Sequence, residues 1–158
     1  MSTQNVVVRH AVLDDVESCA RLIADHLSGD LEQWRNRFEA DLYDGRRHFF
    51  VAQAQEDIVG YGHSVLHTRF DGADPQASPS GYFLSGLLVA PNHRRDGIGT
   101  LLTIARLNAL RDLTNVVYFL AEPENTATIE LHTRLGFVGV RAVNRDGVSH
   151  ILFRLDTI

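Results

Sequence analysis

The hydrophobic positions of this chain change period several times, and each change marks an element. Positions 5–10, with Val6, Val7 and Val8, read as a strand, because β-branched side chains fit a pleated surface. From Leu13 the repeat lengthens. Val16, Cys19, Ala20, Ile23 and Leu27 recur at helical spacing behind Asp14 and Asp15, and Ser28-Gly29 stops the run. Leu31, Trp34, Phe38 and Leu42 predict a second helix, with Glu32, Arg35, Arg37 and Glu39 on its other faces and Gly45 at its end. Positions 48–53 and 58–66 then read as a hairpin across a polar turn at 54–57.

Positions 67–81 carry Pro75 and Pro79 and show no periodicity, which predicts a long loop. Loops of this length inside compact domains tend to be functional, so this one is a candidate flap over a ligand site as well as plain solvated surface. A strand follows, ending Leu87-Leu88-Val89-Ala90-Pro91, and Ile98, Leu101, Leu102, Ala105, Leu107 and Leu110 mark the helix behind it. Positions 115–121 form a nearly continuous apolar run, as in a strand buried on both faces. A helix opened by Asn125 carries Ala127, Ile129, Leu131 and Leu135 and ends at Gly136. The last two strands, 137–143 and 149–155, are joined over Asn144-Arg145-Asp146-Gly147, since Asp-Gly suits a turn with positive φ. The order is β-α-α-β-β-β-α-β-α-β-β.

Candidate chemistry concentrates between the fourth strand and the third helix. Arg94, Gly97 and Gly99 form R-x-x-G-x-G, in which residues without a side chain let the backbone turn sharply and approach a ligand. The amides of residues 95–99 can then converge on one oxyanion, backed by the positive end of the helix and by Arg94 and Arg95. A phosphate-bearing ligand is expected. Neither the dinucleotide pattern G-x-G-x-x-G nor the P-loop pattern G-x-x-x-x-G-K-[ST] occurs, which excludes both nucleotide readings.

Composition narrows the field further. With 158 residues and no linker or repeat, residues 1–158 are expected to form a single domain. A net charge of −5 argues against nucleic acid and is compatible with a cationic or amine substrate. The one cysteine, Cys19, excludes an internal disulfide and lies on the apolar stripe of its helix, where a small core residue belongs. Met1-Ser2-Thr3-Gln4-Asn5 lacks the basic and apolar parts of a signal peptide, so a cytoplasmic location is expected. No apolar run approaches the roughly 20 residues that span a bilayer, so no membrane partner is expected.

The central stretch resembles the acyl-coenzyme A site of the GNAT superfamily of N-acetyltransferases, where a strand ending L-x-V-x-P leads into [RQ]-x-x-G-x-[GA]. Leu87, Leu88, Val89, Pro91 and residues 94–99 match it in order. F-V-A at 50–52 and I-V-G-Y at 58–61 are similar to the superfamily's second and third strands, and N-x-A-x-x-x-L-H-x-x-L-G-F at 125–137 resembles its second acyl-CoA motif. The resemblance covers nearly the whole chain. It implies an α/β fold, GNAT-like, with a mixed, mostly antiparallel central sheet and helices on both faces. Acetyl-CoA is the implied cosubstrate, with no metal. Leu87, Leu88 and Val89 would hold its pantetheine, Arg94, Arg95, Asp96, Gly97, Ile98, Gly99 and Thr100 its pyrophosphate, and Asn125 its pantetheine or nucleotide part, unless Asn125 is a plain helix cap. The implied reaction is acetyl transfer to a primary amine of a small molecule or peptide by direct attack, with His132 protonating the CoA thiolate.

Two departures from the superfamily's pattern affect that implication. The commonest residue at the position of His132 is a tyrosine, although an imidazole that titrates near neutrality can serve the same step. A glutamate often found in the fourth strand has no counterpart, since Leu84-Ser85-Gly86-Leu87 holds no carboxylate. Ser85 is not expected to act as the base, because an unassisted hydroxyl does not titrate near neutral pH. His63 and His67, which share a strand face, Glu122 and Glu124 beyond the fifth strand, or a water relay remain as bases. His63 and His67 lack a third ligand for a metal. Trp34 and Phe38 either border the acceptor site or pack in the core. The missing carboxylate keeps open a non-catalytic acyl-CoA-binding regulatory module, and a longer acyl donor also fits. The expected partner is the amine acceptor, and a homodimer is compatible with the chain.

Overall fold

The computed structural model describes residues 5–157. Met1, Ser2, Thr3 and Gln4, on which the expectation about a leader partly rests, and Ile158 lie outside the described residues. Strand β1 (Val6–His10) is followed by a 3-10 turn at Leu13–Asp15 and by α1 (Val16–Leu27). Asp30 accepts a hydrogen bond from the amide of Glu32 at 3.0 Å and so opens α2 (Leu31–Tyr43). Next come β2 (Arg47–Ala54), β3 (Asp57–His67), β4 (Gly81–Val89) and α3 (Ile98–Leu110). The chain finishes with β5 (Val116–Ala121), α4 (Thr126–Arg134), β6 (Val138–Arg145) and β7 (Val148–Asp156). This is the order read from the periodicity. The turn between β6 and β7 has Asp146 at φ 53° and Gly147 at φ 80°, as Asp-Gly implied.

The seven strands form one sheet in the order β1-β2-β3-β4-β5-β7-β6, antiparallel at every pairing except β4 with β5. Alternation along β2 covers both faces. Phe49 and Val51 point to α1 and α2, where they meet Cys19, Ala20 and Phe38, while Phe50 and Ala52 point to Ile98 and Leu102 of α3. Each large side chain fully buried this way contributes about 1.5–3 kcal/mol. Cys19 is sealed in the first of these clusters, and burial pushes its thiol up to about 12, which makes it an inert core residue. Among the described residues, no helix is long and apolar enough to cross a membrane.

Two irregularities in β4 shape everything that follows. Its parallel pairing with β5 is confined to Tyr82 with Val117 and Phe83 with Tyr118, after which the two strands part. Its antiparallel register with β3 then slips by one, from Ser85 opposite His63 to Leu88 opposite Tyr61. A β-bulge at Gly86 absorbs the extra residue. Gly86 has φ 60°, and a Cβ there would lie 2.8 Å from Nδ1 of His63, so both backbone conformation and space demand glycine.

Candidate active site

The bulge decides how β4 meets the opening. Beyond it, Leu87 and Val89 pack toward α3 and Leu88 toward α1 and α2, so their side chains are committed to the core. What they can offer a ligand is backbone. Among the described residues, the edge of β4 that faces β5 has no strand partner there, because pairing with β5 ends at Phe83.

A short 3-10 turn at Pro91–His93 leads into the glycine loop. Nε of Arg94 donates to the carbonyl of Val89 at 3.1 Å and folds the loop back onto the strand end. Arg95 at φ 66° and Gly97 at φ 82° are both left-handed, and Asp96 lies between them, so the chain turns within four residues into α3. Gly97 stands at the N-cap and has no side chain with which to cap the amides of Ile98, Gly99 and Thr100. The Ile98 side chain is buried against the sheet, which leaves only its amide for a ligand. A Cβ on Gly99 would lie 3.0 Å from Cδ1 of Leu131, so α4 closes against the start of α3 at this point. Asn125 caps α4, its Oδ1 accepting from the amide of Thr128 at 3.4 Å.

His132, 3% exposed, lies flat on Phe119 of β5 at 3.8 Å between ring centroids and edge-on to Phe137. Its Nδ1 is 2.8 Å from the carbonyl oxygen of Thr128. A carbonyl can only accept, so Nδ1 carries the proton and Nε2 the lone pair. Burial pushes the imidazole down to about 4, helped by the charge of Arg106, and the ring is neutral at physiological pH.

Arg106 is the residue that sequence reasoning missed. It is 1% exposed, and burial pushes it down to about 9, which still leaves it charged at neutral pH. Nη1 donates to the carbonyls of His63 at 3.0 Å and Ser85 at 3.4 Å, Nη2 to Oγ1 of Thr103 at 2.8 Å, and Nε to the carbonyl of Leu102 at 3.3 Å. No carboxylate pairs with it among the described residues. A Cβ on Gly62 would stand 3.1 Å from its Nε, so Gly62 makes the room the guanidinium occupies opposite the bulge. The signal was present: Arg106 falls midway between Leu102 and Leu110, on the buried stripe of an apolar helix.

The other sheet face carries a cavity of about 430 Å³ where β4 and β5 part. Its lining includes Arg37 of α2, Arg47 of β2, His67 of β3, Ser85 and Gly86 of β4, and Arg145 of β6. The loop at 68–80 lines it too, and is tied down: the amide of Arg69 donates to Oγ of Ser80 at 2.8 Å, and Nη2 of Arg141 to the carbonyl of Ala77 at 3.0 Å. Of the two histidines on that strand face, only His67 lines the cavity. His63 is buried under the bulge against Phe38 and Phe49, and burial pushes it down to about 3. Trp34 and Phe38 pack in the core rather than in the cavity wall, while Glu122 and Glu124 are exposed beyond β5.

The sequence profile described as the Acetyltransferase (GNAT) family matches residues 10–137. Over 124 residues the chain is 35% identical to mycothiol acetyltransferase of Thermobispora bispora, a match that takes in 75% of this chain but only 40% of that longer protein. Over 140 residues it is 28% identical to the N-alpha-acetyltransferase of Sulfurisphaera tokodaii, covering 86% of this chain and 82% of that one. Among solved structures, that of yncA from Salmonella typhimurium with its cofactor acetyl-CoA aligns with a TM-score of 0.75 at 21% identity, over 98% of this chain and 95% of the other.

Proposed function

Because this chain belongs to the acetyltransferase (GNAT) family, we propose that it transfers an acetyl group from acetyl-CoA to a primary amine. The observation that carries the reading is the parting of β4 from β5 directly beside the glycine loop at the start of α3. In this reading the amides of residues 95–99, with Arg94 and Arg95, hold the pyrophosphate, Asp96 and Thr100 flank it, and Asn125 borders the cofactor from α4. The backbone edge at Leu87, Leu88 and Val89 that faces away from β3 binds the pantetheine and orients the thioester carbonyl. The residues present fit that ligand: α3 has no side-chain cap at Gly97, and the pocket for the acceptor opens on the opposite face of the same gap.

A neutral amine attacks the thioester carbonyl carbon. The N–C bond forms, the C–S bond breaks, and the proton shed by the amine must reach the departing thiolate. His132 is assigned that transfer. Being neutral with Nε2 unprotonated, it takes the proton during turnover and returns it to sulfur, a downhill step from an imidazolium near 4 to a thiol of ordinary pKa about 8.5. The charge of Arg106, which disfavours a resting imidazolium at His132, favours the negative charge that develops on oxygen and sulfur. His67, the imidazole lining the pocket, is the candidate to deprotonate the incoming ammonium, directly or through water.

The test is binding and thiol release together. Acetyl-CoA at a hundred times its Kd should stabilise the protein by about 2.7 kcal/mol, and a folded Gly97→Val variant should lose that gain. Free thiol should appear only when an amine is added. A stabilised protein that releases thiol with no amine acceptor would instead be a binding module. A longer acyl-CoA outperforming acetyl-CoA would change the donor.

A further inference from the structure

Resting on that acetyltransferase reading, we infer that the acceptor is a small amine that itself carries a carboxylate. The 430 Å³ cavity is lined by Arg37, Arg47, Arg69 and Arg145 and, among the described residues, by no carboxylate. The chain as a whole bears −5. This cavity therefore reverses the sign of the average surface, and the cationic acceptor compatible with the overall charge would be repelled from it.

The surroundings of each arginine sharpen the point. Arg47 shares its charge with Asp41 at 3.5 Å and Asp44 at 3.6 Å. Arg69 turns Nη2 to the carbonyl of Asp74 at 2.9 Å and Nη1 to that of Ala77 at 3.5 Å, bonds that fix the guanidinium without neutralising it. Arg37 lies over the Trp34 ring at 5.6 Å and interacts through space with the Asp41 carboxylate it shares with Arg47, and among the described residues neither Arg37 nor Arg145 forms a direct salt bridge. Like charges gathered around one cavity repel one another, and an anionic ligand offsets that cost. A guanidinium fork matches a carboxylate in two parallel bonds.

The same lining reaches the gap between the strands. Ser85, Gly86 and Leu120 lie where β4 and β5 part, next to the proposed thioester, while Phe83 adds apolar wall. A molecule of amino-acid size can therefore present its amine to the opening and its carboxylate to the arginines. A peptide amino terminus carries an amide where this pocket expects the anion.

The experiment compares each of the common amino acids with its amide and its decarboxylated amine, following thiol release from acetyl-CoA by the full chain. At least one amino acid should exceed both neutral-headed partners in kcat/KM by about tenfold to a hundredfold, the range of one charge-assisted contact. Arg145→Gln should shrink that ratio by about tenfold, and Arg145→Lys should restore part of it. Equal or better rates with amides, polyamines or peptide amino termini would overturn the inference and leave the acetyltransferase reading standing. Should no acceptor release thiol, the acetyltransferase reading fails, and melting decides the pocket: amino acids that raise Tm where their amides do not support an anion site, and no difference overturns it.

Discussion

Nη1 of Arg106 sits 3.0 Å from the carbonyl oxygen of His63 while reaching the carbonyl of Ser85 at 3.4 Å, so one buried guanidinium ties β3 to β4 at the bulge. An apolar replacement would remove a buried charge that no carboxylate offsets, but would leave the carbonyls of His63 and Ser85 short of a donor, at about 1–3 kcal/mol for each acceptor left unsatisfied. Arg106→Met should therefore lose about 1–3 kcal/mol of stability and lower kcat at least tenfold, because the bulge loses its anchor and the site its positive field. Gly62→Ala, which crowds Nε from the other side, should lower kcat in the same direction. Unchanged turnover in a folded Arg106→Met would reduce the residue to packing.

His132 offers a spectroscopic and a kinetic handle. Nitrogen shifts of the imidazole should report a neutral ring with the proton on Nδ1, held by Thr128, at pH 6 and above. His132→Phe keeps an aromatic body on Phe119 and removes the relay. It should lower kcat by about tenfold to a hundredfold and leave the Kd for acetyl-CoA nearly unchanged, because the lost interaction belongs to the transition state. His132→Tyr should regain part of the rate. Full kcat in the Phe variant, measured where chemistry limits turnover, would leave thiolate protonation to solvent.

Both buried histidines make stability depend on pH. Burial holds the folded values at about 3 for His63 and about 4 for His132, against 6.5 for an ordinary histidine. As pH falls below 6.5 the unfolded chain binds protons that the folded chain refuses, so this contribution is complete above 6.5 and is lost progressively toward 4 and 3. Each group can supply a slope of up to about 1.4 kcal/mol per pH unit. Urea unfolding at pH 7, 6 and 5 should show the decline, and His132→Phe should flatten it by one histidine's share. Parallel curves for the two proteins would show that His132 titrates alike in both states.

Ser85 and His67 both line the cavity where β4 and β5 part, and an unassisted serine hydroxyl is no general base at neutral pH. Ser85→Ala should keep the acidic limb of the pH profile of kcat/KM. His67→Gln should lower kcat/KM by about 10². Loss of the limb in the Ser85 variant would make the β4 position catalytic, and full activity in the His67 variant would assign the proton to water.

The order of elements, their rough bounds and the loop at 94–97 were legible in the sequence, because period, turn residues and caps are local properties. Val16 to Leu27 announces its helix by spacing alone, and Asp146-Gly147 its turn by backbone preference. Gly86 was visible as a glycine, but its reason, the ring of His63 beneath it, belongs to strand pairing. The same pairing sent His63 into the core and His67 to the cavity, although both lie on one strand face. Arg106 could be seen on a buried stripe, yet only the meeting of α3 with β3 and β4 gives its guanidinium carbonyls to bind. The sign of the charge around the cavity was the least legible. Net charge averages over the whole surface, whereas Arg37, Arg47, Arg69 and Arg145 are far apart in sequence and become neighbours of one cavity only once the sheet has formed.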